Sequence, residues 1–286
     1  MRYGCARTVR PTGGAIDMRI LSLFTALILT YPNVAAFQQV ASSPSASSAQ
    51  AIALLTQSAA ALTGSVTLTD VTLSGTARRI AGSDDESGTV TAKALAGTGT
   101  RIDLSLPSGS RTEIRNTSSV PAVGSWSGPG GVSYPISNHN LFTDPGWFPA
   151  FTLASLLSAP NAVIAYGGPE TRDGQSVIHL TASQQFSALS ANATSLVQHL
   201  TQTEIFLDPN TNLPLAIAFN IHPDNNALLD IPIEIRFSDY RSVRGAQVPF
   251  HVQKLLNNSL MLDLQFQTAT LNSGLSATAF TVAAGL

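Results

Sequence analysis

The chain has 286 residues, a formal net charge of −2 and only 11% charged residues. Lysine occurs only at Lys93 and Lys254, which excludes a basic nucleic-acid-binding surface and a polybasic membrane-binding segment. The single cysteine is Cys5, which excludes an intrachain disulfide and a cysteine-based metal site.

Residues 18–36 have the pattern of a secretory signal peptide. Arg19 supplies a positive charge, residues 20–29 form a short apolar run, and residues 34–36 are small, as signal peptidase requires. The apolar run is shorter than the roughly 20 residues that span a bilayer. The alternatives are an uncleaved membrane anchor and a buried core helix. We therefore expect a signal region over 1–36, a true start at Met18 and cleavage after Ala36. This predicts export to the periplasm or secretion, without stable membrane insertion after cleavage.

The mature chain is expected to begin with a tether and a helix. Residues 37–49 are rich in serine and alanine, which indicates a flexible tether. Apolar residues recur at helical spacing over 50–62 and Gly64 follows as a stop, which predicts an amphipathic helix. The alternation of apolar and polar residues then predicts strands over 66–73, 88–94, 100–106, 110–117 and 120–127, with a polar hairpin loop over 82–88.

An apolar segment over 138–160 interrupts these strands. Within it, residues 148–157 predict a short helix with a wide apolar face. Strands resume over 162–166 and 176–181, whereas residues 184–199 fit either a loop or an irregular helix. The last third predicts strands over 202–207, 214–221, 231–240, 247–255 and 260–270. Because no internal repeat or second change of composition occurs, residues 50–286 are predicted to form a single domain.

Motifs for catalysis and metal binding are weak. Residues 124–128 have Trp126 where the G-x-S-x-G hydrolase motif has its serine. The five histidines lack zinc-binding spacing, and His179 and His251 fall within predicted strands, where neighbouring side chains would satisfy them. Residues 84–86 are acidic but lack calcium-loop spacing. We therefore predict no enzyme activity, no catalytic residues, no metal site and no cofactor.

Two strand–turn–strand motifs lie in the last third of the chain. Residues 208–214 read DPNTNLP, and residues 237–249 read FSDYRSVRGAQVP. Gly245 supplies turn geometry, and Pro249 fits an edge position that needs no ladder donor. Asp239 and Arg241 are two residues apart, so they are expected to pair on one face of a strand.

The chain runs in the order signal, helix, strands, apolar helical insert and strands, and its last third contains these two motifs. This arrangement resembles that of the periplasmic lipoprotein carrier group, the LolA/LolB-like proteins. The resemblance covers the last third by motif and the mature chain by architecture. It implies a mainly β, α+β fold: a strongly curved antiparallel sheet forming a half-open barrel, packed on an N-terminal helix and a central helical insert. A cavity arginine gates opening in that family. Arg78, Arg79 and Arg101 lie on early strands but fit surface positions, so none is assigned this role.

A carrier of this kind needs an apolar concave face under a lid, with a cavity of several hundred Å3. The predicted lining residues are apolar and lie on the insert and the late strands. They are Leu141, Phe142, Trp147, Phe148, Phe151, Leu156, Leu157, Ile235, Phe237, Phe250, Leu262, Leu264 and Phe266. The same side chains would equally suit a closed core.

The resemblance implies a non-enzymatic, monomeric protein that sequesters or shuttles lipid acyl chains or lipoproteins. Because the mature chain has no cysteine to acylate, unlike the LolB-type proteins, a soluble carrier is the closer analogue. One alternative is a cell-envelope interaction module with a closed core, an exposed apolar patch and a protein partner. The other is an exported hydrolase, which requires His139, His179 or His251 to meet an aspartate and a serine in a polar pocket.

Overall fold

The computed structural model describes residues 47–282. The predicted signal region 1–36, and the predicted tether as far as residue 46, lie outside the described residues. Within residues 47–282, no helix combines the length and the apolar character needed to cross a membrane.

In the described part of the chain, thirteen strands form one antiparallel sheet. The strands are β1 (Asp70–Ala81), β2 (Asp84–Leu95), β3 (Gly99–Leu106), β4 (Gly109–Asn116), β5 (Val123–Ser127), β6 (Ser133–Pro135), β7 (Ala162–Arg172), β8 (Gln175–Gln184), β9 (Thr203–Leu207), β10 (Pro214–Ile221), β11 (Ile231–Val243), β12 (Ala246–Leu256) and β13 (Ser259–Leu271). Their order across the sheet is β6-β5-β4-β3-β2-β1-β13-β12-β11-β10-β9-β8-β7.

This order explains the position of the central insert. The chain steps from β1 to one edge at β6, continues at the opposite edge with β7, and steps back until β13 pairs with β1. Residues 136–161, which we call the insert, must therefore connect the two edges. The insert contains a 3-10 helix (Asn138–Leu141) and the helix α2 (Pro149–Ser158). A connection between opposite edges has to pass over one face of the sheet, and here it covers the concave face.

The sheet is strongly curved. Strands β4 and β12 are five positions apart, which is about 24 Å in a flat sheet. Glu113 of β4 and Lys254 of β12 are nevertheless close enough for their charges to interact. One apolar cluster also joins Ile102 of β3 to Ile164 of the edge strand β7. The predicted α+β fold with a curved antiparallel sheet is confirmed, and the sheet is not closed.

Helix α1 (Ala49–Thr63) crosses the concave face. Ser48 caps its start by accepting a hydrogen bond from Ala51, and Ser48 N donates to Ile164 O of β7 at 2.9 Å. At the other end, a Cβ on Gly64 would lie 2.5 Å from Gly245 O, so the helix ends tightly against the β11–β12 turn. The prediction of a helix over 50–62 with a stop at Gly64 is confirmed. Helix α1 also packs on α2.

The structure corrects two local predictions and decides a third that the sequence left open. β1 begins at Asp70 and not at residue 66. The predicted polar loop over 82–88 is a turn of only two residues, and residues 84–88 continue β2, because Arg78 pairs across the hairpin with Asp85 at 2.6 Å. The ambiguous region 184–199 contains α3 (Ala191–Thr201). Asp239 and Arg241 do form the predicted ion pair, with Asp239 at a positive φ of 51°.

Candidate functional site

A groove opens on the concave side where β12 and β13 separate. Residues 246–249 of β12 pair with β11, whereas the described β12–β13 ladder begins at His251 and Gln265. Pro249 lies in this one-sided stretch, which suits a residue with no N–H to donate to a second neighbour. The start of α2 lies over the separation, because Trp147, Phe148 and Pro149 line the groove.

The groove is almost entirely apolar, with Gln247 as a polar member. It is lined by Leu68, Val71, Leu73, Trp147, Phe148, Pro149, Ala150, Phe151, Gln247, Val248, Pro249 and Leu271. The recess measures about 380 Å3 when space open to solvent is included, but it encloses only about 30 Å3. Enclosed space decides what a ligand can bury, and this amount holds roughly two water molecules. The predicted cavity of several hundred Å3 is therefore not enclosed by this groove.

Most of the predicted lining residues lie in or against the concave core. Those buried in it are Trp147, Phe148, Ile235, Phe237, Phe250, Leu262, Leu264 and Phe266, and those half-buried against it are Phe151, Leu156 and Leu157. Leu141 is half-buried beside Gly124 of β5, and Phe142 is 50% exposed. Of the predicted set, Trp147, Phe148 and Phe151 line the groove. That these residues bind a ligand remains a prediction.

Arg115 attaches the insert to the sheet. It lies on the inner face of β4 and is only 8% exposed. Its Nη1 donates to Asn140 O at 2.7 Å and to Thr143 O at 3.3 Å, and its Nε donates to Glu113 Oε1 at 3.0 Å. Hydrogen bonds from a charged donor are stronger than neutral ones. We call Arg115 with Glu113 and these two carbonyls the Arg115 latch.

A second cation approaches the latch from the opposite wall. Lys254 of β12 has its Nζ 5.3 Å from the centre of the Trp147 ring. Withdrawal from water lowers the pKa of Lys254, although Glu113 opposes this shift. Burial acts to raise the pKa of Glu113, but the charges of Arg115 and Lys254 outweigh it and hold that pKa below its ordinary value. The carboxylate of Glu113 is thus stabilised by cations from both walls.

The insert carries a buried carboxyl group of its own. Asp144 Oδ1 accepts hydrogen bonds from Gly146 N and Thr152 Oγ1, each at 2.7 Å. Burial nevertheless raises the pKa of Asp144 above its ordinary value. These bonds fix the turn between Asp144 and α2, and they place Trp147 and Phe148 against the sheet.

The sequence analysis did not identify Arg115. A signal for Arg115 was nevertheless present. Residues 111, 113 and 115 alternate along β4, and the first two lie opposite the apolar Leu104 and Ile102 of β3, so all three charged side chains are on the inward face. Recognising it required the strand pairing. Arg101, by contrast, lies on the other face of β3 and bonds to Asp103 and to Ala279 O.

The convex face contains a Ser–His–Asp arrangement of the kind that the hydrolase alternative requires. Ser238 Oγ lies 2.9 Å from His251 Nδ1, and His251 Nε2 lies 2.8 Å from Asp263 Oδ1. Ser238 is exposed and the three residues sit side by side on β11, β12 and β13. Ser238 lies where β11 pairs with β12 alone, because the β10–β11 ladder ends at Arg236. His179 instead contacts Glu204, so both strand histidines have neighbouring partners.

No protein-family model matches the sequence, and no curated protein matches it. A domain described as an outer membrane lipoprotein-sorting protein from Vibrio parahaemolyticus has a similar structure, with a TM-score of 0.51 at 13% identity, covering 81% of this chain and 96% of that one. A DUF1329 family protein from Desulfovibrio piger has a TM-score of 0.54 at 11% identity, covering 83% and 98%.

A LolA superfamily protein from Nitrosomonas europaea has a TM-score of 0.51 at 10% identity, covering 81% of this chain and 97% of that chain. These similarities show that the chain has the fold of the LolA-like structures that the sequence resembles. At such low identities they speak for the fold alone, because one fold serves many functions.

Proposed function

We propose that this chain is a non-enzymatic, exported, monomeric carrier that binds the acyl chains of a lipid or a lipoprotein on its concave face. The observation that supports this most is the way the insert is attached. It covers an apolar face, and side-chain hydrogen bonds attach it at a few points: Arg115 of β4 bonds to two of its carbonyls, and Asn140 and Thr143 bond to the backbone of His222 and Leu200. An element attached by side chains, and not by a strand ladder, can move as a lid while the sheet keeps its shape.

The residues beneath the insert suit an acyl chain. Gly146 packs directly on Ile235, where a Cβ would lie 3.3 Å from Cγ1, and Ile217 and Phe219 are its next neighbours. Lifting the insert would expose Trp147 and Phe148 to water, which costs about 3–6 kcal/mol of hydrophobic free energy. Ten methylene groups that take their place would contribute about 8 kcal/mol. The free energy gained by burying the acyl chain is therefore large enough to offset the cost of exposing these two side chains.

The concave side also offers a partner for a polar head group. Trp147 Nε1 is buried and has no hydrogen-bond partner among residues 47–282. A buried donor without a partner costs about 1–3 kcal/mol, and an ester or carboxylate oxygen would satisfy it. Lys254, beside the same ring, adds a positive charge. An acyl ester or a fatty acid matches this combination better than a plain hydrocarbon.

Titration of the delipidated, tag-free chain with a fluorescent fatty acid tests the proposal. Phe151→Glu places a charge in the groove and is expected to remove saturable binding. Phe142→Glu is the matched control, because it changes an exposed phenylalanine of the same insert and should leave binding intact. A wild-type chain without saturable binding, or two variants that both bind like the wild type, would refute the carrier function.

The small enclosed volume gives some support to a second function, that of a cell-envelope interaction module. Trp126 of β5 and Tyr134 of β6 stack at 4.7 Å near a sheet edge, and they are 48% and 46% exposed. Val132, between them in sequence, is also exposed. Exposed apolar patches are typical of protein contacts. A chain that binds no fatty acid but loses a co-purifying envelope protein on Trp126→Ser would favour this function.

A further inference from the structure

Three histidines that are distant in the sequence meet beside the insert. His199 lies in the last turn of α3, His222 directly follows β10, and His139 lies in the 3-10 helix of the insert. The ring centres of His199 and His222 are 5.2 Å apart, and those of His139 and His222 are 6.0 Å apart. Asp230, in the loop before β11, reaches both His199 and His222.

The distances in this cluster match metal coordination. Asp230 Oδ1 lies 3.1 Å from His222 Nε2 and 3.2 Å from His199 Nε2, and one potential ligand atom from each residue lies within 4.8 Å of the others. Zn2+ binds imidazole nitrogen and carboxylate oxygen at about 2.0–2.2 Å, which places tetrahedral ligands about 3.3–3.6 Å apart. The carboxylate–imidazole separations need to change by only a few tenths of an ångström to accept an ion.

The histidines also leave ring nitrogens without partners. Nε2 of His139, Nε2 of His199 and Nδ1 of His222 are withdrawn from solvent, and in residues 47–282 none of them makes a hydrogen bond. His199 Nε2 is near Asp230 without hydrogen-bond geometry. Such atoms cost about 1–3 kcal/mol each when buried. Nε2 of His139 and Nε2 of His199 are therefore available to a ligand, whereas His222 would bind an ion through Nε2, the atom beside Asp230, and not through its unpartnered Nδ1.

Neighbouring hydrogen bonds hold the elements of the cluster in place. Asn140 Nδ2 donates to His222 O at 2.8 Å, and His222 N donates to Asn140 Oδ1 at 2.8 Å. Thr143 Oγ1 donates to Leu200 O at 2.7 Å, one residue beyond His199. The insert is therefore fixed to both β10 and the end of α3. Supporting contacts of this type orient the ligands of metal sites.

We propose that His199, His222 and Asp230 form a Zn2+ site, which His139 completes after a rotation of its side chain. Three imidazoles and one carboxylate form a four-coordinate set that suits zinc. The ion would join α3, β10, the loop before β11 and the insert. It would thus strengthen the attachment of the insert to β10 and α3, apart from the Arg115 latch. The site does not depend on acyl-chain binding.

The test measures Zn2+ directly in the full, tag-free chain. After treatment with EDTA and dialysis against Zn2+, we expect one equivalent of zinc by elemental mass spectrometry. His199→Ala and Asp230→Asn should each weaken Zn2+ binding about a hundredfold or more, because each removes a ligand. His139→Ala should weaken Zn2+ binding about tenfold, because His139 is the most distant of the four ligands. His251→Ala, on the convex face, is the control that keeps full binding.

Two further measurements separate ligation from folding. Thermal unfolding in EDTA should show that His199→Ala and Asp230→Asn fold like the wild type, since both side chains are partly exposed. Co2+ bound to the wild type should give the visible absorption of a tetrahedral site. The proposal is overturned if the wild type binds less than one equivalent, or if the folded His199 and Asp230 variants bind Zn2+ as tightly as the wild type.

Discussion

Replacing Arg115 with methionine should loosen the insert without unfolding the sheet. Hydrogen bonds that involve a charged group contribute about 1.5–3 kcal/mol each. The bond to Asn140 O is short at 2.7 Å, whereas the bond to Thr143 O is long at 3.3 Å, so we count only the first. The variant should therefore lose about 2 kcal/mol of closing free energy, which is roughly a thirtyfold increase in the open fraction.

The assay combines hydrogen exchange with ligand kinetics. Residues 138–158 should exchange roughly thirty times faster in Arg115→Met, and a fluorescent fatty acid should associate faster by a similar factor. Arg101→Met is the matched control, because Arg101 also bonds to a carboxylate and to a backbone carbonyl, but on the other face. If the two variants show equal exchange over 138–158, Arg115 is not a latch.

Glu113, the half-buried partner of Arg115, requires a second variant. Arg115→Met leaves Glu113 with Lys254 as its cationic partner, so the loss should be smaller than the roughly 3–5 kcal/mol that breaking a fully buried ion pair costs. Glu113→Gln combined with Arg115→Met removes both charges but leaves Lys254 without its carboxylate, so it should recover only part of the lost unfolding free energy. The fast exchange of the insert should persist in this double variant, since the bond to Asn140 O is still absent. Recovery of slow exchange would contradict the reasoning.

Three other predictions concern stability and activity. Gly75→Ala should lower the free energy of unfolding by about 3 kcal/mol in denaturant titrations, because its Cβ would lie 2.1 Å from Gln265 O. Gly82→Ala is the control: its Cβ would lie in open space, so only the positive φ of 61° opposes it, and it should lower this free energy by about 1 kcal/mol. Burial opposes ionisation of Asp70, but hydrogen bonds from Ser273 and Gly274 hold its pKa below the ordinary value. Its stabilisation is therefore complete above about pH 4 and lost as the pH falls further. Asp70→Asn should unfold at a lower temperature than the wild type at pH 7, and its unfolding temperature should fall less than that of the wild type on acidification. An unfolding temperature with the same pH dependence in both proteins would contradict this. Ser238→Ala should leave the hydrolysis of short-chain p-nitrophenyl esters at the wild-type rate, which we expect to equal the buffer rate.

Local patterns in the sequence located most of the elements, and the resemblance to LolA/LolB-like proteins implied the fold class. Helix α1 lies within one residue of its predicted bounds, because a stop such as Gly64 acts within one turn of the helix. The late strands β10 to β13 were also located, since period-two alternation between turns is a local signal. The hairpin over 82–88 was misplaced because its acidic residues pair across strands with Arg78 and Arg79. That pairing becomes visible only in the sheet.

The tertiary structure alone decided where the function-related residues meet. Alternation shows which face a side chain occupies, but it does not show which strands are neighbours, so the inward position of Arg115 had no predictable partner. Asn140, 25 residues away, became that partner because the insert passes over the concave face between β6 and β7. The same passage brought His139 to His222, 83 positions further along the chain. The apolar composition of the concave face was readable in the sequence, whereas the small volume of the groove beneath the start of α2 depends on how the insert packs.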